Sequence, residues 1–137
     1  MKLLKKIIYW KLSLQFYLVT FLRNKFYDFG VFKSYSFETP VISVGNLSVG
    51  GTGKTPFVEF LIRHFSKNYK VAVLSRGYKR KSKGFILASD SDDSNSIGDE
   101  PFQYYSKFKN IKVAVDKKRN RGIKKLIKAG VNMIILD

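Results

Sequence analysis

Residues 48–55 form a glycine-rich run whose spacing is typical of a loop that binds phosphate groups. The run reads Ser48, Val49, Gly50, Gly51, Thr52, Gly53, Lys54 and Thr55. Its glycines let the backbone curl until successive N–H groups point inward, and the positive end of the following helix adds to their attraction for phosphate oxygens. Lys54 is placed to reach the β and γ phosphates of a nucleotide, and Thr55 to put its hydroxyl on Mg²⁺. The run predicts a nucleotide site, although Ser48 stands where the usual pattern opens with glycine.

An aspartate at the end of an apolar segment is the second residue with a chemical role. Residues 133–136 read Met-Ile-Ile-Leu, and Asp137 follows them directly. In proteins with such a phosphate-binding loop, a carboxylate at the end of a buried strand holds Mg²⁺ through water. The competing interpretation is a helix cap, because strands that end in aspartate often use the carboxylate in this way. The glycine-rich run favours the metal-binding interpretation.

The segments around these residues predict the elements that position them. Residues 41–44 read as a strand, and residues 54–65 carry apolar side chains at helical spacing, with Pro56 in the first turn where its missing N–H costs little. Further strands are predicted at 71–74, 85–88, 111–115 and 133–136, and further helices at 101–108 and 117–129. The polar run 89–96 predicts a mobile surface loop. The alternation predicts an α/β fold of the P-loop NTPase type, a mostly parallel sheet with helices on both faces.

The amino-terminal residues predict an amphipathic helix ahead of this domain. One side of the helical wheel is apolar and consists of Leu3, Ile7, Trp10, Leu14, Tyr17, Leu18 and Phe21. Basic residues flank this face, which suits a helix lying in an anionic membrane interface, although a helix packed on its own domain shows the same pattern. No small-residue cleavage site follows, so we expect the segment to be retained. The predicted units are residues 1–38, a membrane-associated helix with its connection, and residues 39–137, the nucleotide-binding domain.

The charge of the chain is strongly positive. Its 137 residues include 26 lysines and arginines against 10 acidic residues, a formal charge of +16. Such an excess attracts a polyanion, which can be a nucleotide, an anionic lipid or a nucleic acid, and the charge alone does not choose among them. The sequence contains no cysteine, which excludes a disulfide scaffold and a thiolate metal site.

Three motifs resemble those of one enzyme family. Segment 44–56 reads Val-Gly-Asn-Leu-Ser-Val-Gly-Gly-Thr-Gly-Lys-Thr-Pro and resembles the extended phosphate-binding loop of the tetraacyldisaccharide 4'-kinases, the lipid A 4'-kinases. Segments 75–80, Ser-Arg-Gly-Tyr-Lys-Arg, and 98–101, Gly-Asp-Glu-Pro, are similar to the next two motifs of that family in the same order. The resemblance covers the whole chain.

The resemblance implies a kinase that transfers the γ-phosphate of ATP, bound with Mg²⁺, to the 4'-hydroxyl of an acylated glucosamine disaccharide 1-phosphate. Asp99 is then the general base that accepts the proton of the sugar hydroxyl, and Lys54 assists at the phosphates. In the family a histidine of the carboxy-terminal domain helps this base. His64 does not correspond to that histidine, because it lies within the helix after the phosphate-binding loop.

Three more charged residues are candidates for the site, and Arg119 stands where the family carries an arginine near the phosphates. Glu100 is a candidate for the metal or for supporting Asp99, although an acid in the first turn of a helix is favoured by the helix dipole in any case. Arg119 would stabilise charge on the phosphoryl group, while its basic surroundings equally suit a solvated helix. Arg76 would contact a substrate phosphate or hold its own turn. The predicted catalytic residues are therefore Asp99, Lys54 and Arg119, and the predicted metal residues Thr55, Asp137 and Glu100.

The resemblance also implies a location and a longer protein. Family members associate with the cytoplasmic face of the inner membrane of Gram-negative bacteria, so we expect an anionic membrane surface as a partner and no nucleic acid. They are considerably longer than this chain, and Asp137 matches the first of two adjacent aspartates in them. We therefore expect the carboxy-terminal domain to be missing, in which case the isolated fragment could bind ATP without turnover.

Two other functions stay open on the residues alone. Another P-loop phosphotransferase or a GTPase would share residues 50–55, but the sequence has no Asn-Lys-x-Asp run with which to read guanine. A non-catalytic basic module that binds nucleic acid or membrane would explain the charge and leave the glycine-rich run unexplained. The fragment could also be a basic module that binds nucleotide or membrane without catalysis.

Overall fold

The computed structural model describes residues 2–46 and 53–137, which form two compact units. Unit 1 is Met1–Ser36 and unit 2 is Phe37–Asp137. Five residues of the predicted phosphate-binding loop lie outside the described residues, namely Ser48, Val49, Gly50, Gly51 and Thr52. Of that loop, the structure describes Gly53, Lys54 and Thr55.

Unit 1 consists mainly of one long helix, α1, Lys2–Asp28. Large apolar side chains along it are exposed, among them Trp10 at 67%, Phe16 at 74% and Val19 at 65%. Trp10 belongs to the predicted apolar face, whereas Phe16 and Val19 lie on the opposite side of the helix. Apolar side chains therefore extend further around α1 than a single stripe. Within residues 2–46 and 53–137, no helix has the length and apolar character needed to cross a membrane.

Unit 2 is built on a sheet of five strands. They are β1 Val41–Ser43, β2 Val71–Ser75, β3 Ile86–Leu87, β4 Lys112–Val115 and β5 Met133–Leu136. Their order across the sheet is β1-β5-β2-β4-β3, and all neighbours are parallel except β3, which runs antiparallel to β4. Every residue of the central strand β2 is buried, which fits a strand covered on both faces. The strands lie where the sequence predicts them, and the mostly parallel sheet is confirmed.

Helices cover both faces of this sheet, as the sequence predicts. In the described part of unit 2 they are α2 Lys54–Phe65, α3 Ser94–Ile97, α4 Asp99–Lys107 and α5 Arg119–Lys128. Helices α2 and α4 pack on one face through side chains that include Val58, Ile62 and Tyr104. Helix α5 packs on the other face through Ile123 and Leu126. The fold is therefore a layered α/β domain in which helices return the chain between parallel strands.

The polar run 89–96 is more ordered than the surface loop that the sequence predicts, because its last residues begin α3. The Asp93 carboxylate accepts the Ser96 N–H at 2.7 Å, and the Ser96 hydroxyl accepts the Asp93 N–H at 3.0 Å. This reciprocal pair is a capping box, which satisfies two backbone donors at the start of a helix. Serine and aspartate favour loops and helix caps for the same reason, since both bond to nearby backbone. Composition alone therefore missed the short helix.

Candidate functional site

The end of the predicted phosphate-binding loop leads directly into α2. Gly53 caps this helix with a φ of 76°, a left-handed conformation that glycine adopts without strain. Lys54 and Thr55 are the first two residues of α2, and both are half-buried. Just before the loop, the Val44 N–H donates to the Leu136 carbonyl at 2.8 Å, so the carboxyl ends of β1 and β5 lie side by side. In parallel sheets, this edge is where ligands bind.

A second helix start lies at the same edge of the sheet. Helix α4 begins at Asp99, two residues before the predicted start, so Asp99 and Glu100 occupy its first turn. Gly98 precedes it with a φ of 97°, and a Cβ added there would lie 3.1 Å from the Tyr78 carbonyl oxygen and 3.4 Å from the Gly77 Cα. The close approach brings together the segments 75–80 and 98–101. Asp99 is exposed, whereas Glu100 is half-buried.

Asp137 comes to this edge at the end of β5. Its backbone N–H donates to the Leu74 carbonyl at 3.2 Å, which extends the pairing of β5 with β2. Its Oδ2 accepts a hydrogen bond from the Tyr104 hydroxyl at 3.2 Å. Its Oδ1 is buried and, among the residues that the structure describes, has no hydrogen-bond partner. Buried polar atoms are nearly always paired, so an oxygen without a partner among these residues calls for an explanation. A bound ligand is one such explanation.

Tyr104 of α4 lies between the start of α2 and the end of β5. Its side chain is fully buried, and its hydroxyl donates to Asp137 and lies near the Thr55 hydroxyl. Burial, followed by the negative charge of Asp137, raises the pKa of Tyr104 far above its usual range. The phenol therefore stays protonated, bonded to the end of β5 and close to the first turn of α2.

The charged residues around this link influence one another. Burial raises the pKa of Glu100, and the negative charges of Asp137 and Asp99 act in the same direction. The positive charge of Lys54 acts against them. Such mutual effects require the groups to lie near each other. The structure thus gathers Lys54, Asp99, Glu100 and Asp137 at one edge of the sheet.

Arg119, in the first turn of α5, also reaches the end of β5. Its guanidinium donates to the backbone carbonyls of Leu74 and Asp137, which uses two of its five N–H groups. Burial, and then the nearby positive charge of Arg76, lower the pKa of Arg119. Arg76 itself is exposed. In this arrangement the guanidinium ties together the ends of β2 and β5, and its predicted contact with a phosphoryl group stays a prediction.

Sequence reasoning missed a buried aspartate, Asp116, and the tyrosine that bonds to Asp137, Tyr104. Asp116 follows β4 as Asp137 follows β5, so the same pattern of apolar strand and aspartate could have drawn attention to it. Its carboxylate is completely buried and forms a forked pair with Arg121, at 2.7 and 2.8 Å. Tyr104 carries no comparable signal, because its neighbour Tyr105 has the same side chain and the same helical context.

His64, which does not correspond to the family's histidine in the sequence, lies near the end of α2. It is exposed on α2, where its ring stacks on Phe60 with centroids 6.2 Å apart and meets Phe65 edge-on at 4.9 Å. Phe60 is exposed, whereas Phe65 is partly buried and packs against the core cluster that α2 covers. The ring therefore belongs to a surface row of aromatic side chains.

The oxygen atoms of Thr55 and Asp137 suit a magnesium ion that takes its other ligands from water and phosphates. They do not suit a metal that is held by protein side chains alone. Among residues 2–46 and 53–137, no group of three or more His, Asp or Glu side chains could hold a metal by itself. Magnesium typically uses one or two protein oxygen atoms and takes its other ligands from water and phosphates. The unpaired Oδ1 of Asp137 is an oxygen of the required kind. The donor set is compatible with a cation that arrives together with a nucleotide.

Sequence comparison identifies a family that this chain matches. The family profile described as tetraacyldisaccharide-1-P 4'-kinase matches residues 5–137. A tetraacyldisaccharide 4'-kinase from Flavobacterium johnsoniae is 52% identical over all of this chain, and one from Phocaeicola vulgatus is 58% identical over 85% of it. The matched regions are 41% and 33% of the length of those relatives, so the chain spans less than half of either.

A solved structure has the same fold. The crystal structure of LpxK from Aquifex aeolicus in complex with ATP superposes with a TM-score of 0.73 and is 41% identical in sequence. The match covers 84% of this chain and 38% of that one. The α/β architecture therefore agrees with that of an ATP-bound protein over most of the present chain.

Proposed function

Because this chain belongs to the tetraacyldisaccharide-1-P 4'-kinase family, we propose that it supplies the nucleotide-binding part of a kinase for the lipid A precursor. The reaction transfers the γ-phosphate of ATP to the 4'-hydroxyl of tetraacyldisaccharide 1-phosphate. The observation that carries this proposal is the grouping of Lys54, Thr55 and Asp137 at the carboxyl edge of the sheet. Within the described residues, the free Oδ1 of Asp137 has no protein partner there.

ATP is held mainly by the phosphate-binding loop. Residues 48–55 would supply the backbone N–H groups that bind the phosphates, and the start of α2 adds the positive end of its dipole. Lys54 extends from the first turn of α2 toward the β and γ phosphates. Thr55 and Asp137, with Glu100 as a further candidate, would hold the Mg²⁺ that accompanies ATP. When bound, Mg²⁺ offsets negative charge on the phosphate oxygens as the γ group leaves.

Asp99 acts as the general base in this proposal. It is exposed in the first turn of α4, where an incoming sugar hydroxyl can approach it. A carboxylate near the γ-phosphate accepts the hydroxyl proton as the oxygen attacks phosphorus. Arg119 would add positive charge beside Asp137. It would do so through the guanidinium N–H groups that do not donate to the carbonyls of Leu74 and Asp137. Another P-loop phosphotransferase would transfer the phosphate to a different acceptor. No observation supports a site for such an acceptor.

The lipid substrate suggests a role for unit 1. Helix α1 exposes aromatic and aliphatic side chains along its length, and it carries basic residues such as Lys6, Lys11 and Lys25. A helix of this composition lies in the interface of an anionic bilayer. Residues 1–38 would thus hold the domain of residues 39–137 at the cytoplasmic face of the inner membrane, where the acyl chains stay in the bilayer and the sugar hydroxyl reaches ATP.

A transfer assay tests the proposed reaction. The gene product, expressed over its whole reading frame, is incubated with ATP labelled at the γ-phosphate and with tetraacyldisaccharide 1-phosphate. We expect labelled lipid with the unmodified protein and a loss of at least about 100-fold in both Lys54→Ala and Asp99→Ala. A protein that binds ATP but never labels the lipid would overturn the substrate assignment while leaving the nucleotide site in place.

A further inference from the structure

We propose that Tyr104 is a positioning residue for the divalent cation that binds with ATP, acting through Thr55 and Asp137. Its hydroxyl lies between the two predicted metal residues, one on α2 and one at the end of β5. Tyr104 does not touch the cation itself. It fixes which oxygen lone pairs of its two partners stay available. The inference rests on the proposed function, since it assumes a cation held by Thr55 and Asp137.

The hydrogen-bond inventory of the three groups sets the direction of each bond. A carboxylate only accepts, so Tyr104 must donate its single proton to Asp137 Oδ2, 3.2 Å away. With that proton committed, Tyr104 has only lone pairs to offer the nearby Thr55 hydroxyl, which can donate to Tyr104 but cannot accept from it. Thr55 therefore receives no proton from Tyr104, and among the residues that the structure describes the Asp137 Oδ1 has no hydrogen-bond partner. A cation needs free lone pairs at both positions.

The surroundings of Tyr104 hold this arrangement in place. The side chain is 0% exposed, and its ring packs in the same cluster as Val58 and Ile62 of α2 and Ile135 of β5. Helix α4 also carries Asp99 and Glu100 in its first turn, one turn before Tyr104. The tyrosine therefore sets the spacing between the helix that follows the phosphate-binding loop, the helix with the predicted base and the strand with the metal carboxylate.

Replacement by phenylalanine isolates the hydroxyl, because Tyr104→Phe keeps the buried ring. In this variant the Thr55 proton is free to turn toward Asp137 or toward the cation position, and Asp137 loses its fixed donor. Loss of a partner that orients a metal ligand typically lowers metal affinity by about 10- to 100-fold. We expect ATP affinity measured by calorimetry at saturating Mg²⁺ to fall about 10-fold, with the Mg²⁺ concentration for half-maximal effect rising in parallel.

The matched control is the neighbouring residue. Tyr105→Phe removes a hydroxyl that donates to Asp90 at 2.8 Å on the outer side of α4, away from the site. We expect its Mg²⁺-dependent ATP affinity to equal that of the unmodified protein. ATP affinity in the presence of a chelator serves as the second readout, and it should be the same in all three proteins.

Three results would overturn the inference. Tyr104→Phe could keep the full Mg²⁺ dependence, which would leave its hydroxyl without a role at the cation. Its ATP affinity could instead fall equally with Mg²⁺ and with chelator, together with a lower melting temperature, which would assign Tyr104 to packing alone. In a double-mutant cycle with Asp137→Asn, fully additive losses would show that Tyr104 does not act through Asp137. If the unmodified protein showed no Mg²⁺-dependent ATP binding, the proposed function itself would fail.

Discussion

Asp116 and Asp137 occupy equivalent positions on either side of the central strand. Each follows an apolar strand, and each donates its backbone N–H to β2, Asp116 to the Ser75 carbonyl at 2.9 Å and Asp137 to the Leu74 carbonyl at 3.2 Å. Their side chains differ. Both oxygens of Asp116 accept hydrogen bonds, from Arg121 and from the Lys118 N–H, whereas Asp137 Oδ1 has no partner in the part of the chain that the structure describes.

The difference separates a structural carboxylate from a binding one. The guanidinium of Arg121 holds the pKa of Asp116 below its usual value, and this pair fixes the connection between β4 and α5. Asp137 has Tyr104 on one oxygen, and the structure describes no partner for the other. A buried carboxylate with an unused oxygen costs free energy in the absence of a ligand, so we expect it to be retained for binding.

Asp137→Asn should give the largest effect on function and almost none on stability. The amide keeps the shape and still accepts from Tyr104, but it provides a weaker ligand for a cation that offsets several kcal/mol of transition-state charge. We expect phosphate transfer to fall by at least about 100-fold and the free energy of unfolding to change by less than about 0.5 kcal/mol. Transfer assays and urea unfolding of the same preparation test both parts. A strongly destabilised variant would contradict the distinction between the two aspartates.

Asp116→Asn should reverse this pattern. The amide cannot accept the forked pair from Arg121, and hydrogen bonds to charged groups typically contribute about 1.5 to 3 kcal/mol. We expect a loss of about 2 kcal/mol in urea unfolding. Arg121→Lys keeps the positive charge without the fork, so its loss should be about half as large. Equal stability in all three proteins would mean that the pair does not hold the β4–α5 connection.

Glu59 extends the comparison to a carboxylate far from the site. It is buried on α2 and accepts from Arg63, Gln103 and Lys107, at 2.9, 3.1 and 2.6 Å. The two cations are about half exposed, so we expect Glu59→Gln to cost only about 1 kcal/mol of unfolding free energy.

The exposed ion pair of α1 provides the matched control for Glu59. Lys25 and Asp28 lie 3.7 Å apart with both side chains exposed, so Asp28→Asn should change the unfolding free energy by less than about 0.5 kcal/mol. If the two substitutions cost the same, burial of Glu59 would not be what makes its ion pairs stabilising.

The smallest expected effect is a dependence of stability on acid pH. The Lys107 ammonium lowers the pKa of Glu59, as the Arg121 guanidinium lowers that of Asp116. A lowered folded-state pKa means that the unfolded chain binds protons more readily, so this stabilisation is complete above the unfolded values of about 4 and is lost as the pH falls below them. Urea unfolding at pH 7, 5 and 3 should show a plateau followed by a decline. The decline should be shallower in Asp116→Asn, and an unchanged slope would remove Asp116 from the explanation.

The sheet could be predicted from the sequence because its strands are continuous apolar runs bounded by polar residues. Residues 71–74 and 133–136 are such runs, and the observed strands β2 and β5 differ from the predicted limits by one residue at most. The structure of residues 89–96 was harder to predict, since a capping box and a loop use the same polar residues. Helix starts were also approximate, and α4 begins two residues before the predicted position.

The candidate site was predictable only in part. Residues that belong to a local motif, such as Lys54 and Thr55, are marked by their spacing to the glycines. The roles of Asp99, Arg119 and Glu100 came from resemblance to a family and stay proposals. Nothing local distinguishes Tyr104 from Tyr105, because the two differ only in which side of α4 they occupy relative to the sheet.

The sequence by itself determined the order of elements, the phosphate-binding loop and the presence of two strands that end in aspartate. These features depend on residues that are close together in the chain, where spacing and periodicity are visible. The tertiary structure decided which aspartate keeps a free oxygen. Arg121 is five residues from Asp116 and reaches it from the next helix, whereas Tyr104 meets Asp137 across 33 residues. Which partner reaches a carboxylate depends on how the helices pack on the sheet, and a one-dimensional pattern does not record that packing.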